Sequence, residues 1–185
     1  IDFSKKHGLK IGTIADLINY RILNEKTVEK IDKKIVKTEY GKFNLIMYKD
    51  LIFDETHLVL QKGKITKNSP TLVRVQQSNF YHDLLNINEF GARWSVSDAM
   101  KKINEAGKGI ILLIDGENNK ENEFNEINAS KKNRKTIPNN DPRRIGIGSQ
   151  ILRDLGVKKI KLMGSEVRYP SLSGFDLEVT EYVNK

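Results

Sequence analysis

"SVSDAMKKINEAGKGIILLIDG", Ser95 to Gly116, is the stretch whose reading decides the fold. Val96, Ala99, Met100 and Ile103 recur at i, i+3, i+4 and i+7, the spacing that puts apolar side chains on one helix face. Gly107 is a natural stop for such a helix. The run "GIILLI" that follows is apolar throughout, as expected of a strand covered on both sides. Upstream, "PTLVRVQQ" (Pro70 to Gln77) reads as a further strand, with Pro70 at its start where a missing N–H is tolerated. Strand, helix, strand in that order implies an α/β layer.

The rest of the chain extends this pattern in both directions. "GTIADLINYRILNE" (Gly12 to Glu25) reads as an amphipathic helix, with Thr13 as N-cap and Ile14, Leu17, Ile18 and Ile22 on one face. "KKIVKTEYGKFNLIMYKD" and "THLVLQKGKI" are rich in β-branched and aromatic residues, interrupted at Tyr40-Gly41 and at "DLIFDE", and read as strands. The segment 118–140 holds 8 Asn in 23 residues and few apolar ones, so a long mobile loop is expected there. Beyond it, "RRIGIGSQILRDLG" reads as a short helix, with Ile147, Ile151 and Leu155 on one face and Gly156 closing it. "VKKIKLM" and "DLEVTEYV" read as strands. The expected fold class is α/β, a layered mixed β-sheet with flanking helices.

Composition narrows the chemistry. The 185 residues suit one ordinary domain. There is no cysteine, so disulfides, thiolate nucleophiles and Cys-ligated zinc are excluded. The three histidines, His7, His57 and His82, form no metal-ligand spacing and read as surface or lone core residues. The formal charge is +8, but the lysines are scattered and no basic stripe interleaved with aromatics is present. Nucleic acid is therefore not an expected partner. No run approaches the roughly 20 apolar residues of a membrane span, and "IDFSKKHGLK" lacks the apolar stretch of a signal peptide. A cytoplasmic location is the expectation.

The most site-like stretch is "NNDPRRIGIGSQILRDLGVKKIKL", Asn139 to Leu162. Asp141, Arg143 and Arg144 precede Gly146 and Gly148. A Gly-x-Gly beside a helix can offer backbone N–H groups to a phosphate. Neither the Walker A ending nor a full GxGxxG after a strand is present. By spacing alone, this is an ordinary turn and helix.

"DPRRIGIGSQILRDLGVKKIKLM" resembles the D-x-R-[DE]-[YF]-x-x-[GA]-x-x-[IL]-L-x-x-L-G-V segment of GTP cyclohydrolase II. The strands "GKFNLIMYKD", "THLVLQKGKI" and "TLVRV" are similar to that family's first strands. "DFSKKHGLKIGTIADLINYR" resembles the end of 3,4-dihydroxy-2-butanone 4-phosphate synthase, which many bacteria fuse to GTP cyclohydrolase II for riboflavin synthesis. The resemblance implies that residues 1–30 are the last helix of a synthase domain and its linker. It implies a GTP cyclohydrolase II-like domain over 31–185. A synthase domain in the same polypeptide is the expected partner, and a homodimer is compatible with the sequence.

The departures from the family carry the functional expectation. The family's three zinc-binding cysteines correspond to Asn79, Phe90 and Ala92, and His82 is the nearest imidazole. No zinc or other cofactor is expected, and zinc supplies the activated water and Lewis acid for opening the guanine ring. The family's R-x-E-G-R motif is "DGENN" here. Glu117 is kept, while Asp115 and Asn119 stand for phosphate-contacting arginines. "TNNP" is "GSEV", which brings in Glu166, and "RVHSE" is "RVQQS", which keeps Arg74. Asp141 and Arg143 are retained at positions where the resemblance implies a proton-transfer group and a nucleophile toward the α-phosphorus. Two readings stand open. The first is a degenerate domain with a structural, oligomeric or regulatory role beside the synthase, in which Asp141 and Arg143 hold a loop–helix junction. The alternative is a binder or enzyme for a different phosphorylated or nucleotide ligand, using Arg74, Glu117, Asp141 and Arg143.

Overall fold

A computed structural model describes residues 2–13, 16–17, 20–21, 24–77, 83, 94–115, 142–167 and 169–185. Strands β1 (Val28–Thr38), β2 (Gly41–Asp50), β3 (Thr56–Lys62), β4 (Thr71–Gln77), β5 (Gly109–Ile114), β6 (Lys159–Met163) and β7 (Glu178–Val183) form one seven-stranded sheet. Helix α1 (Asp2–His7) precedes them, α2 (Val96–Ala106) joins β4 to β5, and α3 (Pro142–Asp154) lies between β5 and β6. A 3-10 turn spans Pro170–Phe175 before β7. The strand order is β1-β2-β3-β5-β4-β6-β7. Neighbours are antiparallel from β1 to β5 and parallel from β5 to β7, so the sheet is mixed.

The two helical crossovers explain the layering. The β4–α2–β5 connection moves one way along the sheet, and the β5–α3–β6 connection moves back past β4. Right-handed crossovers running in opposite directions lie on opposite faces. The core accordingly splits in two. Under α3 lie Ile46, Tyr48, Val59, Val73, Ile110, Leu112 and Ile114, packed on Ile147, Ile151 and Leu152. Under α2 lie Phe43, Leu72, Ile111 and Met163, packed on Ala99, Met100 and Ile103. Alternate residues of "GIILLI" serve the two faces, which is why the run is apolar throughout.

Local signals set the helix ends. Ser95 caps α2, its hydroxyl accepting from the Asp98 N–H while the Asp98 carboxylate reaches back to Ser95, and Gly107 closes the helix at φ 70°. Pro142 stands at the start of α3, where its missing N–H costs nothing. Gly156, at φ 81°, ends α3 with its N–H on the Arg153 carbonyl, and the Val157 N–H reaches the Leu152 carbonyl.

Three features bear on the expectation. The Gly-x-Gly pair lies inside α3, as reading "RRIGIGSQILRDLG" as a helix has it, and not at the helix entry where a phosphate would need it. Both glycines are buried, and a Cβ on Gly148 would meet Ile114 Cδ1 at 3.2 Å and Leu112 Cδ2 at 3.6 Å. The pair lets the helix approach β5, so its backbone is not free to cradle a phosphate. β1 also begins at Val28, so the expected boundary after residue 30 falls within this strand. Finally, Thr13 does cap helical residues, accepting from the Asp16 N–H at 3.0 Å, but Leu17 on the expected apolar face is 58% exposed. The expected loop at 118–140 lies outside the described residues.

Gly109 tests the closeness of β5 to its neighbours. A Cβ there would stand 2.8 Å from the Leu72 carbonyl oxygen and 2.7 Å from Ile103 Cγ1. Gly109→Ala is expected to cost roughly 1–3 kcal/mol by overpacking, read as a lower denaturant midpoint at unchanged slope. Gly107→Ala has open space around the Cβ and meets only the positive-φ penalty, so it is expected to cost less.

Candidate functional site

β4 and β5 run parallel and end side by side, and the first turn of α3 sits above their carboxyl ends on the face it covers. In open α/β sheets the carboxyl ends of such strands, where the crossovers diverge, are where ligands bind. Two arginines occupy that turn. Cations disfavour a helix N-terminus, whose exposed N–H groups carry partial positive charge, so both arginines need anionic or carbonyl partners.

Arg143 finds them in the β2–β3 turn. Its guanidinium donates to the Glu55 carboxylate at 2.5 Å and stands 3.8 Å from Asp50 Oδ2. It also lies over the Phe53 ring, 3.4 Å from the centroid, a stacking contact worth on the order of 1 kcal/mol. Asp50 is 1% exposed, and its other oxygen accepts from the N–H groups of Ile52 and Phe53 at 2.8 and 3.3 Å. Arg144 donates instead to the Gln77 side chain at the end of β4. The two arginines thus tie α3 to both flanks of the crevice.

His57 completes the cluster from β3, opposite Tyr48. It is fully buried, and its Nδ1 accepts from the Asp115 backbone N–H at 3.1 Å. A neutral imidazole accepting at Nδ1 carries its proton on Nε2, and Nε2 is buried with no hydrogen-bond partner among the described residues. Asp50, Glu55 and His57 place one potential ligand atom each within 4.8 Å of one another. The arrangement suits a guanidinium better than a metal ion. Arg143 already hydrogen-bonds Glu55 and is ion-paired with Asp50, and His57 has no lone pair to give while it accepts from Asp115.

Arg74 lies on the other face. It pairs in register with Ile111, which belongs to the α2-side core. Its Nε donates to Gln76 Oε1 at 2.8 Å, and its terminal nitrogens donate to the Met163 carbonyl at 2.9 Å and the Trp94 carbonyl at 3.4 Å. Gln76 in turn donates to the Asp83 carboxylate, which also accepts from the Val96 N–H. Arg74 therefore braces β4, β6 and the start of α2. Among the described residues, the partners of Arg74 and of Arg143 form separate networks on opposite faces of the sheet. Asp141, Glu117, Asn119, Asn79, Phe90, Ala92 and His82 lie outside the described residues. Glu166 is exposed in the turn after β6.

A family model, GTP cyclohydrolase II, matches residues 29–184. This chain belongs to the GTP cyclohydrolase II family. Its relatives are longer. A 3,4-dihydroxy-2-butanone 4-phosphate synthase of Pseudomonas aeruginosa is 43% identical over 98% of this chain and 50% of its own length. The riboflavin biosynthesis protein RibBA of Aquifex aeolicus is 36% identical over 99% of this chain and 48% of its own length. A crystal structure of RibBX, described as a two-domain 3,4-dihydroxy-2-butanone 4-phosphate synthase from A. baumannii, matches with a TM-score of 0.61 and 39% identity. That match covers 99% of this chain and 48% of the solved one. The chain spans about half the length of the relatives it matches. Membership in the family agrees with the mixed sheet and flanking helices. No helix among the described residues is long and apolar enough to cross a membrane.

Sequence reasoning found Arg143 through the family motif but missed Asp50, Phe53, Glu55 and His57. The available signal was two acidic residues and a histidine around one short turn, closed by the Asp50 N–H on the Glu55 carbonyl at 2.8 Å.

Two outcomes test this geometry. Arg143→Ala is expected to cost about 2 kcal/mol of stability, below the roughly 3–5 kcal/mol of a fully buried broken pair because Arg143 is 30% exposed. A purely ligand-binding arginine would leave the denaturant midpoint unmoved. Burial pushes the His57 pKa below its ordinary value, against the pull of Asp50, Glu55 and Asp115, while Arg143 adds to the lowering. The unfolded chain then takes up the proton first. The stability due to neutral His57 is complete above the unfolded value of about 6.5 and is lost as pH falls below it. His57→Gln is expected to flatten the decline in melting temperature between pH 7 and 5.

Proposed function

We propose that this domain does not open the guanine ring of GTP and serves a structural, oligomeric or regulatory role beside a synthase-type domain of the same polypeptide. The carrying observation is the engagement of Arg143. At the family position implied to attack phosphorus, the guanidinium is held between Glu55, Asp50 and Phe53. A nucleophile or phosphate contact would have to give up those partners first. On this reading Asp141 and Arg143 secure the junction into α3, and the residues before β1 belong to the synthase-type half and its linker.

The donor chemistry supports the same reading. By the family register the zinc positions are Asn79, Phe90 and Ala92. A phenyl ring and a methyl group have no ligand atom, and an amide is a poor substitute for a thiolate. These residues do not fit zinc. Asp115 stands where a phosphate-contacting arginine is implied and brings the opposite charge. The separation of Arg74 from Arg143 also leaves the changed-ligand alternative without a common pocket among the described residues.

Zinc content by mass spectrometry, paired with formate release from GTP by the full-length polypeptide, tests the proposal. Far less than stoichiometric zinc and no formate above the buffer blank are expected. Stoichiometric zinc with turnover would overturn it. A thermal-shift screen with nucleotides and phosphorylated sugars tests the alternative. A ligand at 100 times its Kd stabilises a native state by about 2.7 kcal/mol, so a flat screen at millimolar concentrations rules out binding tighter than about 10 μM.

A further inference from the structure

The tip of the β2–β3 turn carries three successive apolar residues that stay exposed, although Arg143 of α3 stacks on one face of Phe53. Leu51, Ile52 and Phe53 are 55%, 44% and 52% exposed. Single exposed apolar residues are ordinary, but three in a row on an ordered turn are not. The turn is held at every position. Asp50 and Glu55 close it through the backbone, and the Asp50 carboxylate accepts from Ile52 and Phe53. Asp54 takes a positive φ of 59° and pairs with Lys49, while Arg143 stacks on Phe53. A rigid apolar projection loses little entropy on docking.

The same turn is bonded to the chain entering the sheet. The Leu51 N–H donates to the Thr27 carbonyl at 2.8 Å. Thr27 is itself fastened to α3, its N–H and hydroxyl both donating to Gln150 Oε1, and Lys26 pairs with Asp154. The preceding helical residues end at Asn24, and the Glu25 N–H still bonds the Arg21 carbonyl at 2.8 Å. Only Glu25, Lys26 and Thr27 separate those helical residues from β1, a reach of about 10 Å when extended. The helix exposes Leu17 and Tyr20, and the segment before it exposes Leu9 and Ile11. Two exposed apolar sets therefore flank a three-residue linker fastened at Lys26 and Thr27.

We infer that Leu51, Ile52 and Phe53 form the docking knob on which the synthase-type half of the polypeptide seats, the half carried by the N-terminal helix. The inference rests on the proposed function in taking that half as the partner, and it adds the contact surface. The occupant follows from reach. Whatever domain buries Leu17 and Tyr20 is held by the short linker beside the Leu51–Thr27 bond. The relatives, about twice as long, include a two-domain synthase.

The 185 residues contain no cysteine, which makes labelling a clean test. Ile52→Cys and, separately, Leu51→Cys are introduced in the full-length polypeptide, with any cysteines of the remaining half replaced by serine. Ile35→Cys, on the edge strand β1 at a site 75% exposed, is the reference. Maleimide is expected to label positions 51 and 52 at least tenfold more slowly than 35 in the native protein, and all three equally in urea. Equal native rates at all three sites would overturn the knob. Protection that disappears on dilution would assign the surface to a second copy and also overturn it. Failure of the underlying reading has a different signature: the intact mass of the natural polypeptide would lack a synthase-type half.

Discussion

The close approach of α3 to β5 is the constraint on which the rest of the site depends. Gly148 allows it, since any side chain there would press on Ile114 and Leu112. With the helix seated, its first turn falls over the ends of β4 and β5, and Arg143 and Arg144 reach Glu55 and Gln77 on either side. Two cations at a helix N-terminus work against the helix dipole. They are tolerated because Glu55 accepts from Arg143, with Asp50 3.8 Å away, and the Gln77 side chain accepts from Arg144.

α3 connects two regions of separate interest. Its first turn holds the family's Arg143, and its last turns hold the linker through Gln150 and Asp154. Tyr48 strengthens that second anchor by donating to Asp154 at 2.8 Å, and burial together with this bond raises the tyrosine pKa well above its ordinary value. Tyr48 therefore remains a donor across the physiological range. One rigid helix sets the position of both the candidate corner and the chain leading to the N-terminal segment.

Legibility in the sequence varied with how local each cause was. The α2–β5 unit was readable because its helix periodicity and its buried strand are written within 22 residues. Gly107 and Gly156 were readable as helix ends for the same reason. β1 was harder, since seven of its eleven residues in succession are exposed and no inside–outside alternation marks its start at Val28. The Gly-x-Gly pair invited a phosphate reading, because spacing alone does not say whether a glycine frees backbone for a ligand or clears room for a neighbouring strand. Arg143 was found by family pattern, but its partner Glu55 is 88 residues away and no pattern spans that gap.

By itself the sequence determined the fold class, the two crossover helices and the absence of thiolate chemistry. Each follows from residue type and near-neighbour spacing, which act before the chain closes on itself. Only the tertiary structure decided that Arg143 is matched internally, that Arg74 faces the opposite side of the sheet, and that His57 is buried among three carboxylates. Those outcomes depend on strand register and crossover direction. The side-chain period of a strand is two, so pairing Arg74 with Ile111 rather than with either neighbour of Ile111 is what sends it to the α2 face.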